Sequence, residues 1–255
     1  MTLTSGQLTL GSFFVILGGS SLGGLPLGGL MFDRCLQESV MSKKPRILVF
    51  ASGSATGGGS GFAKMVELSR GDDPVLNATI AGVVSNHVSG GVRKKAEALG
   101  VGFMAMTDDF TAERYRWLVE HFQADYVMLS GWLKKVSGLE MARTVNIHPG
   151  PLPLTRGLYG HHVHEAVMEA YRRGAVTTSA VTMHFVDGEY DTGPVAFSAE
   201  VRILPEDTAD TLGARVNACE HLWQSRILDL IVCGEIRLEG RDVISSLGAT
   251  RHFRV

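Results

Sequence analysis

From residue 45 onward, short apolar runs alternate with segments of helical spacing, and no other feature of this chain constrains its fold so tightly. "RILVFAS" is an apolar run ended by a Gly/Ser loop, the pattern of a buried strand. "GFAKMVELSRG" follows and sets Phe62, Met65 and Val66 on one side of a helix. The pattern then repeats, with "ATIAGVVSN" before "GVRKKAEALG" and "VGFMAMT" before "TAERYRWLVEHFQ". "DYVMLSG" and "TVNIH" supply a fourth and a fifth strand. Strand–helix alternation of this kind predicts an α/β fold, a Rossmann-like, mainly parallel sheet with helices on both faces. Beyond it "HHVHEAVMEAYRRG" is helical, and "TTSAVTMHFV" and "GPVAFSAEVRI" read as antiparallel strands joined through "DGEYDT". A long helix opening on acidic capping residues at "PEDTADT" closes the pattern. One domain over residues 43–240 accounts for these elements, leaving a tail at 241–255 with weak signals.

Residues 1–42 differ. No charged side chain occurs before Asp33, and "GGSSLGGLPLGGL" is close to low complexity. A signal peptide wants a basic start, which "MTLTSGQLTL" lacks. A membrane helix wants about 20 mainly apolar residues, and here Gly, Ser and Pro26 interrupt them. The segment reads as a disordered extension, or as sequence ahead of a start at Met41, whose "MSKKPRILVF" suits the opening of a cytoplasmic domain. The net charge of −2 gives no pull toward nucleic acid or an anionic membrane.

Three stretches carry chemistry. The first βα loop, "SGSATGGGSGF", offers many backbone N–H groups directly before a helix, a nest for an anion. It is not a P-loop, because Gly59 stands where the lysine belongs. Nor is a dinucleotide expected, since Ser85-Asn86-His87 ends the second strand where an acidic residue would take the ribose. "NIHPGPLP" places Asn146 and His148 on one face at the carboxyl end of a strand, an edge that looks into the ligand crevice of an open α/β sheet. A carboxamide beside an imidazole forms a donor pair suited to an oxyanion. "HFVDGEYDTGPV" crowds Asp187, Glu189 and Asp191 into a turn behind His184. A carboxylate from this turn beside His148 would raise the imidazole's pKa and order a water for proton transfer. His161, His162 and His164 lack metal-site spacing, and the three cysteines form no CxxC, so no metal is expected.

Together with "RVNACEH" in the late helix, these stretches resemble the phosphoribosylglycinamide formyltransferase family over residues 45 to 238. The Asn-x-His-Pro motif with a downstream Asp-x-Gly-Pro marks folate-dependent formyltransferases as a group. The resemblance implies a catalytic set of Asn146, His148 and Asp191. It puts the substrate phosphate on Gly59, Ser60 and Gly61, and the ribose hydroxyls on Glu220. For the co-substrate 10-formyltetrahydrofolate it implies a pterin site of Trp132, Leu133, Lys134, Lys135 and Val136, faced by Val186 and Asp187. The implied reaction is attack of the substrate amine on the formyl carbon. Asn146 and a protonated His148 hold the oxyanion, and Asp191 orients the histidine and a proton-carrying water. The expected partners are phosphoribosylglycinamide and the folate, with neither nucleic acid nor membrane, for a monomer or homodimer. Departures bear on the acceptor. Gly61 replaces the usual Asn, "HPGPLP" the usual Ser-Leu-Leu-Pro continuation, and Lys134 a common arginine. The readings left beside it are a formyltransferase for a nucleotide sugar or methionyl-tRNA, a formyltetrahydrofolate deformylase, and a non-catalytic module for phosphate ligands. The tRNA enzyme's basic C-terminal domain and the deformylase's leading regulatory domain are not expected here.

Overall fold

A computed structural model describes residues 43–246 and the strand His252–Arg254. The extension expected over 1–42 lies outside the described residues.

Five strands run β1 Arg46–Phe50, β2 Thr79–Ser85, β3 Phe103–Ala105, β4 Tyr126–Ser130 and β5 Thr144–His148. The helices α1 Ser60–Leu68, α2 Gly91–Leu99 and α3 Ala112–His121 join the first four strands, and every pair among the five is parallel. Helix α4, His161–Arg172, leads to β6 Thr178–Phe185, which pairs antiparallel to β5, and then to β7 Val195–Arg202, which pairs antiparallel to β6. Helix α5 spans Ala209–Val232. Thr208 caps it in a reciprocal box with Thr211, so two orphan N–H groups of the first turn find acceptors. The sheet order is β10-β7-β6-β5-β4-β1-β2-β3, where β10 is His252–Arg254, parallel to β7.

Alternation along β1 divides the interior. Ile47, Val49 and Ala51 join one core with Phe62 and Met65 of α1, Val92 of α2, Val167 of α4 and Leu228 of α5. Leu48 and Phe50 join a second core with Tyr115 and Leu118 of α3. Helices therefore cover both faces, as the continuous apolar run of β1 requires. After β3 the chain crosses the sheet through α3 and lays β4 on the free side of β1. That reversal opens a crevice at the carboxyl ends of β1 and β4, where open α/β sheets bind ligands.

A hairpin, β8 Ile236–Glu239 with β9 Asp242–Ser245, crosses residue 240, where the sequence patterns had faded. Gly240, at φ 64°, supplies the left-handed position its two-residue turn needs.

Candidate active site

Strand β5 brings Asn146 and His148 to the crevice from one face. The proline-rich segment after it folds back, with the Thr155 N–H donating to Pro151 O at 3.2 Å, and seats the buried Thr155 hydroxyl 2.8 Å from His148 Nε2. Thr155 spends its one proton on Pro151 O, at 3.0 Å. Its oxygen is then an acceptor, so a neutral His148 carries its proton on Nε2 and presents a bare Nδ1. That Nδ1 lies 3.6 Å from Asp191 Oδ1.

Asp191 sits between β6 and β7 with a left-handed φ of 53°. The Gly157 N–H donates to its Oδ2 at 2.9 Å, and Arg156 Nε donates to its carbonyl at 3.2 Å. Asn146 Nδ2 reaches Asp191 Oδ1 at 3.3 Å and His184 Nε2 at 3.0 Å. His184 stands directly across from Asn146 in the β5–β6 register, and its Nδ1 lies 2.9 Å from the Phe185 carbonyl. Only a protonated Nδ1 can bond that carbonyl, which leaves Nε2 of a neutral His184 to accept from Asn146.

The charge state of His148 differs from the sequence expectation. Burial pushes the imidazole down to about 4, outweighing the upward pull of the Asp191 carboxylate, while His184 and His164 push the same way as burial. At neutral pH the imidazole is therefore uncharged. Burial pushes the Asp191 carboxyl up, but the neighbouring His184 and His148 and the Gly157 N–H hold it below its ordinary range. It is ionised at neutral pH.

Asn146, His148 and Asp191 line a cavity of about 590 Å3 that extends to Gly59, Ser60 and Gly61 and to Glu220. Gly58 and Gly59 both have positive φ, at 95° and 72°. A Cβ on Gly58 would lie 2.5 Å from the Gly53 Cα, so the tight loop excludes side chains there. Burial lifts the Glu220 carboxyl to about 7, against the Asn217 hydrogen bond. A smaller cavity of about 50 Å3 adjoins the first, sharing Trp132, Asn146, Tyr190 and Asp191 with it, and is further lined by Lys134, Lys135, Val136 and Val186.

Most of the chain is similar to known proteins. A family model described as formyl transferase matches residues 45–228. The chloroplastic phosphoribosylglycinamide formyltransferase of Arabidopsis thaliana is 32% identical over 214 residues, covering 78% of this chain and 69% of that protein. The chain belongs to the phosphoribosylglycinamide formyltransferase family. The crystal structure of phosphoribosylglycinamide formyltransferase from Anaplasma phagocytophilum superposes with a TM-score of 0.67 at 26% identity, over 83% of this chain and 99% of that one. The trifunctional purine biosynthetic protein adenosine-3 of Bos taurus is 30% identical over 210 residues. Those cover 78% of this chain, which spans only 20% of that protein's length.

For a member of the phosphoribosylglycinamide formyltransferase family, not every residue expected at the pterin has a free side chain. Trp132 turns its indole N–H inward to the Tyr115 hydroxyl, at 3.1 Å, and packs in the second core. Leu133 is exposed on the larger cavity, while Lys135 pairs with Glu189 at 2.9 Å. Asp187 lines a third cavity of about 190 Å3, beside Val136 and Val186. Its carboxylate accepts from Thr192 at 2.7 Å and from Arg241 of the β8–β9 turn at 2.9 Å. His161 and His162 at the start of α4 face Glu165, and among the described residues no group of His, Cys, Asp or Glu is arranged to hold a metal ion. No helix among them is long and apolar enough to cross a membrane.

Sequence reasoning left out Thr155, and it noted His184 without assigning it to the site. On α5 it found Glu220 but not Asn217, His221 and Gln224, which line the same cavity. Their spacing of three, four and seven residues from Asn217 is one helix face, a polar stripe legible once its purpose is known.

Proposed function

We propose that the chain transfers the formyl group of 10-formyltetrahydrofolate to the amine of 5'-phosphoribosylglycinamide. The observation that carries this reading is the meeting of Asn146, His148 and Asp191 where two cavities join, the larger ending at the glycine loop and Glu220. The ribotide lies in the larger one, with its phosphate on the N–H groups of Gly59, Ser60 and Gly61 at the start of α1 and its ribose hydroxyls on Glu220. The pterin lies against the smaller one, between Trp132–Val136 and Val186–Asp187.

The amine attacks the formyl carbon, and the carbonyl electron pair moves onto oxygen. Both Nδ2 protons of Asn146 are engaged in the free protein, and the 3.3 Å contact with Asp191 is the weaker. As it forms, the oxyanion accepts a hydrogen bond from that N–H in place of Asp191. The attacking nitrogen, now cationic, gives a proton to the bare Nδ1 of His148. The resulting imidazolium is stabilised by the adjacent Asp191 carboxylate, so a histidine neutral at rest becomes charged only when the transition state needs charge. That proton then passes through a water held at Asp191 to N10 of the folate, the carbon–N10 bond breaks, and the formyl amide leaves. We place the reaction in the cytoplasm, on small-molecule substrates alone.

Gly61, where the family pattern has Asn, favours a second reading with a different amine acceptor. Incubating the chain with 10-formyltetrahydrofolate and phosphoribosylglycinamide, and following formation of tetrahydrofolate, tests the proposal. Turnover that requires the ribotide supports it. Turnover only with another amine supports the second reading, and formate release without any acceptor points to deformylation instead.

A further inference from the structure

Gln224 is 2% exposed, yet it lines the larger cavity at the end where the glycine loop enters α1. Among the described residues its Nε2 donates only to the thioether sulfur of Met65, at 3.2 Å, and its Oε1 accepts from the Ser130 hydroxyl at a long 3.4 Å. A thioether is a weak acceptor, and an amide nitrogen has two protons. A buried carboxamide so poorly matched by its own protein is costly unless something else completes it.

The space it fills is telling. A Cβ built on Gly61 would collide with Ser130 Oγ and lie 2.7 Å from Gln224 Oε1. Gly61 is in the first turn of α1, where its backbone would tolerate a side chain. What excludes one is the carboxamide reaching over from α5 and the hydroxyl from the end of β4.

We propose that Gln224 is a specificity-determining residue for the formyl acceptor. Held by Ser130 and Met65 in the place of a side chain at position 61, it offers its remaining Nε2 proton to a sugar or phosphate oxygen of the ribotide. This rests on the ribotide reading above.

The test compares Gln224→Met, Gly61→Ala and the double variant with the wild type, measuring KM for each substrate and kcat. Gln224→Met keeps volume and removes the donor, while Gly61→Ala presses on the carboxamide and on Ser130 Oγ without replacing a residue of α5. Each single variant is expected to raise KM for phosphoribosylglycinamide about tenfold, the usual effect of losing one donor to a polar substrate. KM for 10-formyltetrahydrofolate and kcat should stay within about twofold. Because both changes reach the same carboxamide, the double variant should raise the ribotide KM by clearly less than the product of the two single effects. An unchanged ribotide KM, equal shifts for both substrates, or additive effects would overturn the proposal. Should one variant fail to fold, the other still decides by the same KM split. A wild type that does not formylate the ribotide overturns the underlying reading instead, and this inference with it.

Discussion

Replacing Glu220 with Gln should make the protein more stable and a poorer enzyme, with the stability gain depending on pH. The carboxyl stands half-buried on α5 at the cavity wall, and burial lifts it from 4.5 to about 7. Such a rise amounts to roughly 3 kcal/mol against the charged form, and water entering the open cavity reduces it to about 1–2 kcal/mol. The sign follows from proton uptake. Between 4.5 and about 7 the folded chain holds a proton that the unfolded chain has released, so stability falls as pH rises through that window. An amide has nothing to ionise. Glu220→Gln should therefore melt roughly 2–8 °C above the wild type at pH 8, at about 2–4 °C per kcal/mol for a domain of this size. The gap should shrink toward pH 5. In the same variant KM for phosphoribosylglycinamide should rise about tenfold or more, because a carboxylate accepts from a ribose diol more strongly than an amide does. Comparing both proteins at each pH cancels ionisation of the ribotide's own phosphate. Thermal melts from pH 5 to 8 and steady-state kinetics supply both halves. A variant less stable at pH 8, or one with an unchanged KM, would refute the argument that this carboxylate is kept at a cost for its substrate.

Asn146→Ala and His148→Ala should each lower kcat about 100- to 1000-fold while KM moves only a few-fold, the mark of groups acting on the transition state. Steady-state kinetics decide this, and undiminished turnover in either removes it from the catalytic set. Thr155→Val leaves the buried Nε2–H of His148 without its acceptor and favours the proton on Nδ1. At about 1–3 kcal/mol for an unpaired buried donor, kcat should drop roughly tenfold, and an unchanged kcat would show that the Nε2 tautomer is misassigned. Asp207, buried before α5, accepts from Arg215, the Leu204 N–H and Thr211, and the Arg215 hydrogen bonds hold its carboxyl far below the usual range. Asp207→Asn should lose about 2–3 kcal/mol, or roughly 5–10 °C in Tm, at pH 7. A depressed carboxyl stabilises the fold above its unfolded value and loses that as pH falls, so variant and wild type should converge in acid melts.

Much of the fold was legible because its causes are local. β1 must be buried on both faces because "ILVF" offers no polar side chain to either, and its glycine loop must precede a helix because little else follows. The pairing of Asn146 with His148 follows from the two-residue repeat of a strand. Less legible was what burial does to these groups. A carboxylate beside a histidine suggests a raised pKa, and Asp191 does pull that way, but His148 is packed so deeply that desolvation wins. Depth of packing is a property of the assembled sheet, and no spacing along the chain encodes it.

Register is the other property that local patterns omit, and at this site it matters most. The alternation of "TVNIH" and of "TTSAVTMHFV" predicts two strands, but not which residue of one opposes which of the other. In the fold Asn146 faces His184 and His148 faces Thr182. A slip of one residue would set Met183 or Phe185 across from Asn146 and turn His184 to the other face. The carboxamide would then lose the acceptor that orients it, and Asp191 would lose His184 as a neighbour. The Thr182 hydroxyl guards against this, since it donates to the Gly150 carbonyl at 2.8 Å and ties β6 to the segment just past His148. Gly150 leaves room for that segment to close, because a Cβ there would strike Thr155 and Val163. The unusual "HPGPLP" thus acts on both histidines. Its prolines seat Thr155 under His148, and its glycine lets β6 lock into the register that brings His184 to Asn146.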